Sequence, residues 1–247
     1  MTWNTGERSL YRVDSNLYLT KTEYSVTEAS PVELAETPSR QTRRIYDLVA
    51  PLYPLSSLLF HSHAHRHALA ASGIENGMRV LEVAIGSGEM FDRIVRRNPD
   101  GQTLGLDLSP NMAARTQTAA QKKYRNSAAF CQAADARHMP FATASFDALV
   151  CCYLLELLSD EDIMSALAEF KRVLRPGGRL TMILICQSAS SFNAMYKVCT
   201  KVAPAFWGRQ VERRVPQLLR SHGFAINSDR HVKQIFYPSR VISCVHA

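Results

Sequence analysis

The 247-residue chain has no apolar run long enough to cross a bilayer: the longest, Ala148 to Leu158, is broken by Glu156 and falls short of the roughly 20 residues a spanning helix needs. No transmembrane helix is expected. Its first residues, with Thr5, Glu7 and Arg8 among them, lack the charged-then-apolar layout of a secretory signal, which predicts a cytoplasmic location. Six cysteines occur without a CxxC pair. Most sit inside apolar runs, so reduced, buried thiols are expected and a cysteine-built zinc site is not. Internal repeats and low-complexity tracts are absent. Acidic residues are scarce in one place, because the last 77 residues hold two of them against thirteen basic ones, while residues 1–40 and 41–170 each carry a small negative balance. The overall charge of +7 is therefore the basicity of one end, and it poses the question of what that end faces.

What is present reads as one globular chain, 46% apolar, with additions. Residues 1–40 are rich in Ser, Thr and Glu, show no sustained apolar period and read as an amino-terminal extension. Residues 41–72 form a helical cap interrupted by Pro51 and Pro54. Residues 73–187 alternate strand and helix patterns: strand candidates lie at Val80–Ile85, Thr103–Leu108, Ala128–Ala133, Phe146–Cys152 and Leu180–Cys186. Before the last of these, Ser159 is placed to cap a helix, with Ile163, Leu167 and Phe170 on one face and Pro176, Gly177 and Gly178 stopping it. Residues 188–247 add helix, notably Val211–Ser221, and two strand-like stretches, Phe224–Val232 and Gln234–Val245, that read as a closing hairpin of the same domain. Strands alternating with helices imply a mostly parallel sheet with ligands at the strands' carboxyl ends.

The sharpest local signal is Leu81-Glu82-Val83-Ala84-Ile85-Gly86-Ser87-Gly88-Glu89, an acidic residue in a strand followed by small residues where the strand turns into a helix. Small residues there let a ligand approach the backbone. Asp107 ends the next strand, where a carboxylate can take both hydroxyls of a ribose. Asp135 follows the third strand and can accept from an adenine amino group. A dinucleotide dehydrogenase would want a third glycine at position 91, which is Phe91.

Glu82 to Gly88, Asp107, Asp135, Ser145-Phe146-Asp147 and Leu174-Arg175-Pro176-Gly177-Gly178 together resemble the class I S-adenosylmethionine-dependent methyltransferases over roughly residues 78–186. Tyr46-Asp47-Leu48-Val49-Ala50-Pro51-Leu52-Tyr53 is similar to the lid segment of the ubiquinone/menaquinone methyltransferase-like branch. The resemblance implies an α/β, Rossmann-like, doubly wound sheet of seven mostly parallel strands, with a C-terminal antiparallel hairpin and an N-terminal helical cap. It implies S-adenosylmethionine as cofactor and S-adenosylhomocysteine as product. Carried over residue by residue, it makes Glu82 an anchor of the turn, puts Ala84, Ile85, Gly86 and Gly88 in the turn with Gly86 beside the methionine part, and makes Asp107 the ribose ligand. It sets Leu108 and Met112 against the adenine, Asp135 and the Ala136 amide at its edge, and Tyr46 near the methionine carboxylate or the methyl group. Ala84 stands where the family has its first glycine, which requires the turn to keep an ordinary backbone there.

Methyl transfer needs alignment and exclusion of water more than heavy catalysis, although a nearby base can help an acceptor that must lose a proton. Tyr153 and Cys152, just at and past the fourth strand, are candidates to line the acceptor pocket, with Gln187 a weaker one. The run His61-Ser62-His63-Ala64-His65-Arg66-His67 offers i,i+4 pairs that point in different directions without an acidic or cysteine ligand nearby, so no metal is expected and His65 or His67 is a candidate base. Tyr153, Tyr46 and His65 are thus the catalytic candidates. Phe192, Met195, Tyr196, Phe206 and Trp207 offer apolar walls for a small or amphipathic acceptor. Ala189 to Arg220 replace the longer insertion of the quinone enzymes, which sets a quinol or a phospholipid at a membrane surface second. Nucleic acid is disfavoured, since Cys151-Cys152-Tyr153-Leu154 replaces the Asn/Asp-Pro-Pro-aromatic segment of base-amine enzymes and the Pro-Cys dipeptide of cytosine C5 enzymes is missing.

Overall fold

The computed structural model describes residues 62–186, 209–234 and 238–247. The amino-terminal extension, Tyr46 and the rest of the lid segment, His61, Gln187 and the five aromatic and apolar acceptor-side candidates lie outside the described residues.

The alternation read in the sequence builds a seven-stranded sheet with strand order β3-β2-β1-β4-β5-β7-β6. Its strands are β1 Arg79–Val83, β2 Gln102–Asp107, β3 Ala128–Ala133, β4 Phe146–Cys152, β5 Leu174–Ile185, β6 Phe224–Val232 and β7 Ser239–His246. The first five pair in parallel, and β7 lies antiparallel between β5 and β6. Among the described residues five helices cover the sheet: α1 Ser62–Ala71, α2 Glu89–Arg97, α3 Pro110–Lys123, α4 Asp160–Val173 and α5 Val215–Ser221. A short 3₁₀ turn, Leu155–Leu157, follows β4.

Apolar side chains of the sheet fill both faces, as expected of parallel strands covered on two sides. One cluster joins Leu81, Leu104, Leu149 and Leu180 to Ile163, Leu167 and Phe170 of α4. The opposite cluster joins Val80, Val150 and Ile183 to Ala64 and Ala68 of α1 and to Ile94 of α2. Phe91, at the position where a dehydrogenase would keep its third glycine, is 1% exposed and packs with Ile85, Val95 and Ala129. Gly105 makes room for it, since an added Cβ would lie 2.8 Å from Ile85 and 3.0 Å from the Phe91 ring.

Ser159 caps α4 as the sequence suggests, accepting from the Asp162 amide. That helix ends at Val173, however, rather than at the Pro-Gly-Gly turn. Leu174 turns extended (φ −75°, ψ 140°) and pairs with Phe146, drawing the turn into the start of β5. The last helix is also shorter than its apolar pattern, starting at Val215, where Pro216 sits in its first turn.

Candidate functional site

The carboxyl ends of β1, β2 and β4 open into one cleft, lined by their following loops and by α1. The loop after β1 shapes its floor. Ala84, Gly86 and Gly88 have φ of +62°, +47° and +79°, so three residues in five run left-handed. The expected ordinary geometry at Ala84 is thus wrong, because the chain must reverse within Ala84–Gly88 to start α2, and the Ile85 amide meanwhile bonds the Leu106 carbonyl at 3.0 Å. A non-glycine residue in that region costs about 1–2 kcal/mol. At Gly86 an added Cβ would meet nothing within 4 Å, so the backbone there is open to a ligand. Gly88 does not line the cleft but caps α2, packed so closely that a Cβ would lie 2.8 Å from Thr116.

Asp107 fastens this loop to the next. Its Oδ2 accepts from the Gly86 amide at 2.8 Å and its Oδ1 from the Ser109 amide at 2.9 Å. A carboxylate has about four acceptor positions, so holding the backbone and receiving ribose hydroxyls are compatible roles. Leu108, 37% exposed, and buried Met112 stand beside it. Glu82 lies beneath, 1% exposed, and its Oε2 has no hydrogen-bond partner. Burial first, then the charges of Asp107 and Glu89, hold its carboxyl well above the usual range. Glu82 thus lines the cleft as a buried acid beneath the turn.

Asp135 and Ala136 line the far end. Here the structure adds a residue that the sequence reading missed. Arg137 binds Asp135 through Nη2 at 2.6 Å and through Nε at 2.9 Å, and reaches Asp162 at the start of α4 with Nη1 at 2.6 Å. Burial opposes ionisation of Asp135, but the Arg137 bonds outweigh it and hold its carboxyl below the ordinary value. An arginine two residues after a loop aspartate is the signal that was available.

The remaining wall comes from β4 and α1. Tyr153 has φ of +56°, and its hydroxyl bonds Ser239 Oγ at 2.8 Å and Gln234 Nε2 at 3.3 Å. Burial pushes its phenol up. That environment suits a wall and argues against the role of base. Burial likewise pushes up the Cys152 thiol, with the Glu82 charge adding to it. His65, 5% exposed, faces Glu89 with Nδ1 at 3.4 Å from Oε2, while Arg93 binds the other oxygen of Glu89 at 2.9 Å. Glu89, the first residue of α2, was the second omission of the sequence reading. His63 and His67 stack edge-on at 4.9 Å on the exposed side of α1. Among the described residues no group of three or more potential ligands could hold a metal ion.

A family profile described as a methyltransferase domain matches residues 80–178. The demethylmenaquinone methyltransferase of Deinococcus radiodurans is 30% identical over 173 residues, covering 68% of this chain and 70% of that protein. The ubiquinone/menaquinone biosynthesis C-methyltransferase UbiE of Hahella chejuensis is 34% identical over 149 residues, 57% of each chain. Its counterpart from Desulfotalea psychrophila is 32% identical over 55% of this chain. The match spans only 54% and 57% of the length of those two enzymes. Among solved structures, the [4+2]-cyclase SpnF superposes with a TM-score of 0.69 at 17% identity, covering 85% of this chain and 97% of that one. An Aquifex aeolicus SAM-dependent methyltransferase gives 0.58 at 17% identity, with 86% and 100% covered. These structures share the fold, and a cyclase among them shows that the fold alone does not name the reaction.

Proposed function

This chain belongs to the class I S-adenosylmethionine-dependent methyltransferases, in their ubiquinone/menaquinone methyltransferase-like branch, and we propose that it transfers a methyl group to a small amphipathic hydroquinone-like acceptor. One observation carries the reading: the glycine turn, Asp107, Asp135 and the apolar pair Leu108 and Met112 converge on a single cleft at the strands' carboxyl ends.

The cleft fits the cofactor. Open space at the Gly86 Cβ position is a cradle for a ligand lying against the backbone. Glu82 offers a buried acid whose Oε2 lacks a hydrogen-bond partner, and a cation in the cleft would draw its ionisation. When bound, S-adenosylmethionine supplies a methyl group on an already activated sulfonium, so transfer is an in-line displacement. The chain's residues hold, orient and keep out water. Gly86 and the start of α2 receive the methionine part, Asp107 takes the ribose hydroxyls, Leu108 and Met112 flank the adenine, and Asp135 with the Ala136 amide reads its edge. Leu154, Leu157 and Leu158 give the cleft an apolar wall that suits the tail or ring of an amphipathic acceptor. The relatives named for ubiquinone and menaquinone biosynthesis support a quinol ring as that acceptor.

Calorimetry with S-adenosylmethionine and S-adenosylhomocysteine tests the first half, with micromolar binding expected. Absence of binding would defeat the whole reading. Transfer of labelled methyl to a panel of quinol, phenol, amine and thiol acceptors tests the second, and a thiol or amine preference would remove the quinol. A methyl acceptor resident at a membrane surface is the second reading, favoured by exposed Arg213, Arg220, Arg230 and Lys233. Co-sedimentation with anionic vesicles should then fall as salt rises; no binding at low salt eliminates it.

A further inference from the structure

We propose that Glu82 carries a proton in the free protein and gives it up to solvent on binding the cationic part of S-adenosylmethionine, so that capture of the cofactor is coupled to ionisation of a buried acid. The proposal deepens the methyltransferase reading above and rests on it.

Its basis is a carboxyl group left unsatisfied by its own surroundings. Glu82 is 1% exposed, yet it lines the cleft, and its Oε2 has no hydrogen-bond partner. Its register neighbours in the sheet are Gly105 on β2 and Val150 on β4, and neither brings a side-chain donor. A buried carboxyl so placed stays ionised only where a positive charge or several donors face it.

Among the described residues, the groups around Glu82 supply negative charge or none. From β2 comes Asp107, whose oxygens accept from the Gly86 and Ser109 amides at 2.8 and 2.9 Å. From α2 comes Glu89, which Arg93 binds at 2.9 Å through one oxygen and His65 of α1 faces at 3.4 Å from the other. From β3 and β4 come the thiols of Cys131, Cys151 and Cys152, all pushed up first by burial and therefore neutral. Burial first, then the charges of Asp107 and Glu89, hold the Glu82 carboxyl well above its ordinary value of 4.5.

A cation brought against the carboxyl reverses that balance. The O–H bond of Glu82 breaks, the proton leaves to solvent, and the electron pair stays on the carboxylate that now pairs with the cation. S-adenosylmethionine has two positive groups, the sulfonium and the α-ammonium, of which S-adenosylhomocysteine keeps only the second. Because binding releases a proton, affinity should rise with pH by up to about tenfold per unit. The rise should span the window from the ordinary carboxylate value near 4.5 to the raised value of the free protein and level off above it.

Calorimetry on the full chain tests this directly. Titration with S-adenosylmethionine in buffers of different ionisation enthalpy, at about pH 6.5 where the α-amine stays charged, should show release of about one proton per chain. Glu82→Gln keeps the shape and cannot ionise. It should abolish the release, flatten the pH dependence and bind S-adenosylmethionine about 10–10²-fold more weakly at about pH 8. Release with S-adenosylhomocysteine as well identifies the α-ammonium as the partner of Glu82, and release with S-adenosylmethionine alone identifies the sulfonium. Binding of S-adenosylmethionine without release, or release that survives Glu82→Gln, overturns the proposal. Should Glu82→Gln fail to fold, difference infrared spectra of the wild type labelled with ¹³C at its glutamate carboxyls decide. Burial would raise Glu89, the other glutamate lining the cleft, but His65 and Arg93 hold it below its ordinary value, so binding must remove an isotope-shifted band of a protonated carboxyl that belongs to Glu82. Loss of an unshifted band, or of none, overturns the proposal. Failure of the wild type to bind S-adenosylmethionine at all would instead sink the methyltransferase reading, so the two failures are distinguishable.

Discussion

The two sides of the sheet are specified in different ways. On the β1–β3 side, the groups that face the cleft are set by short stretches of chain: left-handed turns at Ala84, Gly86 and Gly88, and Asp107 tied to the Gly86 and Ser109 amides. On the β5–β7 side they are set by partners distant in sequence. Tyr153, which lines the cleft, is held by Ser239 and Gln234, and away from the cleft lining the Glu156 carboxyl accepts from the Ile185 amide at 2.5 Å and Arg240 binds Asp229 at 2.7 Å. The difference shows why a cofactor site can be read as a motif while an acceptor site cannot. It also changes the meaning of the basic carboxyl-terminal end. Arg209 and Arg214 both bind Asp160, and Arg240 binds Asp229, so part of the excess positive charge pins the last segment onto α4 and β6 rather than facing a partner.

The comparison breaks most visibly at Asp107. Asp107→Ala removes charge-assisted bonds to the ligand and unpairs the Gly86 amide. At about 1.5–3 kcal/mol per such bond, S-adenosylhomocysteine should bind at least about 10²-fold more weakly by calorimetry. An unchanged affinity would mean that the motif is not the cofactor site.

On the other side, Glu156 is buried and its carboxyl is pushed up to about 7, chiefly by burial. The folded protein therefore holds that proton more tightly than the unfolded chain does. Its stabilisation is fully present below the ordinary value near 4.5 and is lost as pH rises through about 7. Glu156→Gln keeps an acceptor for the Ile185 amide and does not ionise, so its melting temperature should rise relative to the wild type as pH increases across this window. The stability difference behind it should approach about 3 kcal/mol; a constant difference would show that Glu156 titrates normally.

Between the two regions, Arg137 ties Asp135 to Asp162 with all three partly buried. Arg137→Ala should cost about 0.5–1 kcal/mol by denaturant unfolding, an effect that shrinks in high salt if the link is ionic.

How much was legible follows the same division. Phe146–Cys152, Ala128–Ala133 and the Ser159 cap could be read directly, because strand periodicity and capping act over a few residues. The cofactor-side candidates from Glu82 to Ala136, Gly88 aside, all line one cleft for the same reason. Arg137 with Asp162, and His65 with Glu89, were not legible as pairs, since tertiary packing brings them together across 25 and 24 residues. Tyr153 was taken for chemistry on the strength of its position past β4. Its hydroxyl partners lie more than 80 residues away, on β7 and just after β6, where no local pattern reveals them.

The finest contrast lies within the glycine turn, where three left-handed positions differ only in what surrounds them. Ala84 already bears the strain of a Cβ at φ +62°. Ala84→Gly relieves about 1–2 kcal/mol of it and gives back about 0.4–1 kcal/mol through the freer unfolded chain, for a net gain near 0.5 kcal/mol. Gly86→Ala meets no atom within 4 Å, so its cost to folding is the backbone strain alone, while its Cβ intrudes where a ligand should lie. Gly88→Ala adds a 2.8 Å clash with Thr116 to the same strain and should be the least stable of the three. Melting temperatures should therefore rank Ala84→Gly above wild type, then Gly86→Ala, then Gly88→Ala. Cofactor affinity should rank differently, with Gly86→Ala impaired beyond what its stability predicts. If Gly86→Ala binds S-adenosylhomocysteine like the wild type, the open space at Gly86 does not face the ligand, and the cradle must be sought elsewhere along the cleft.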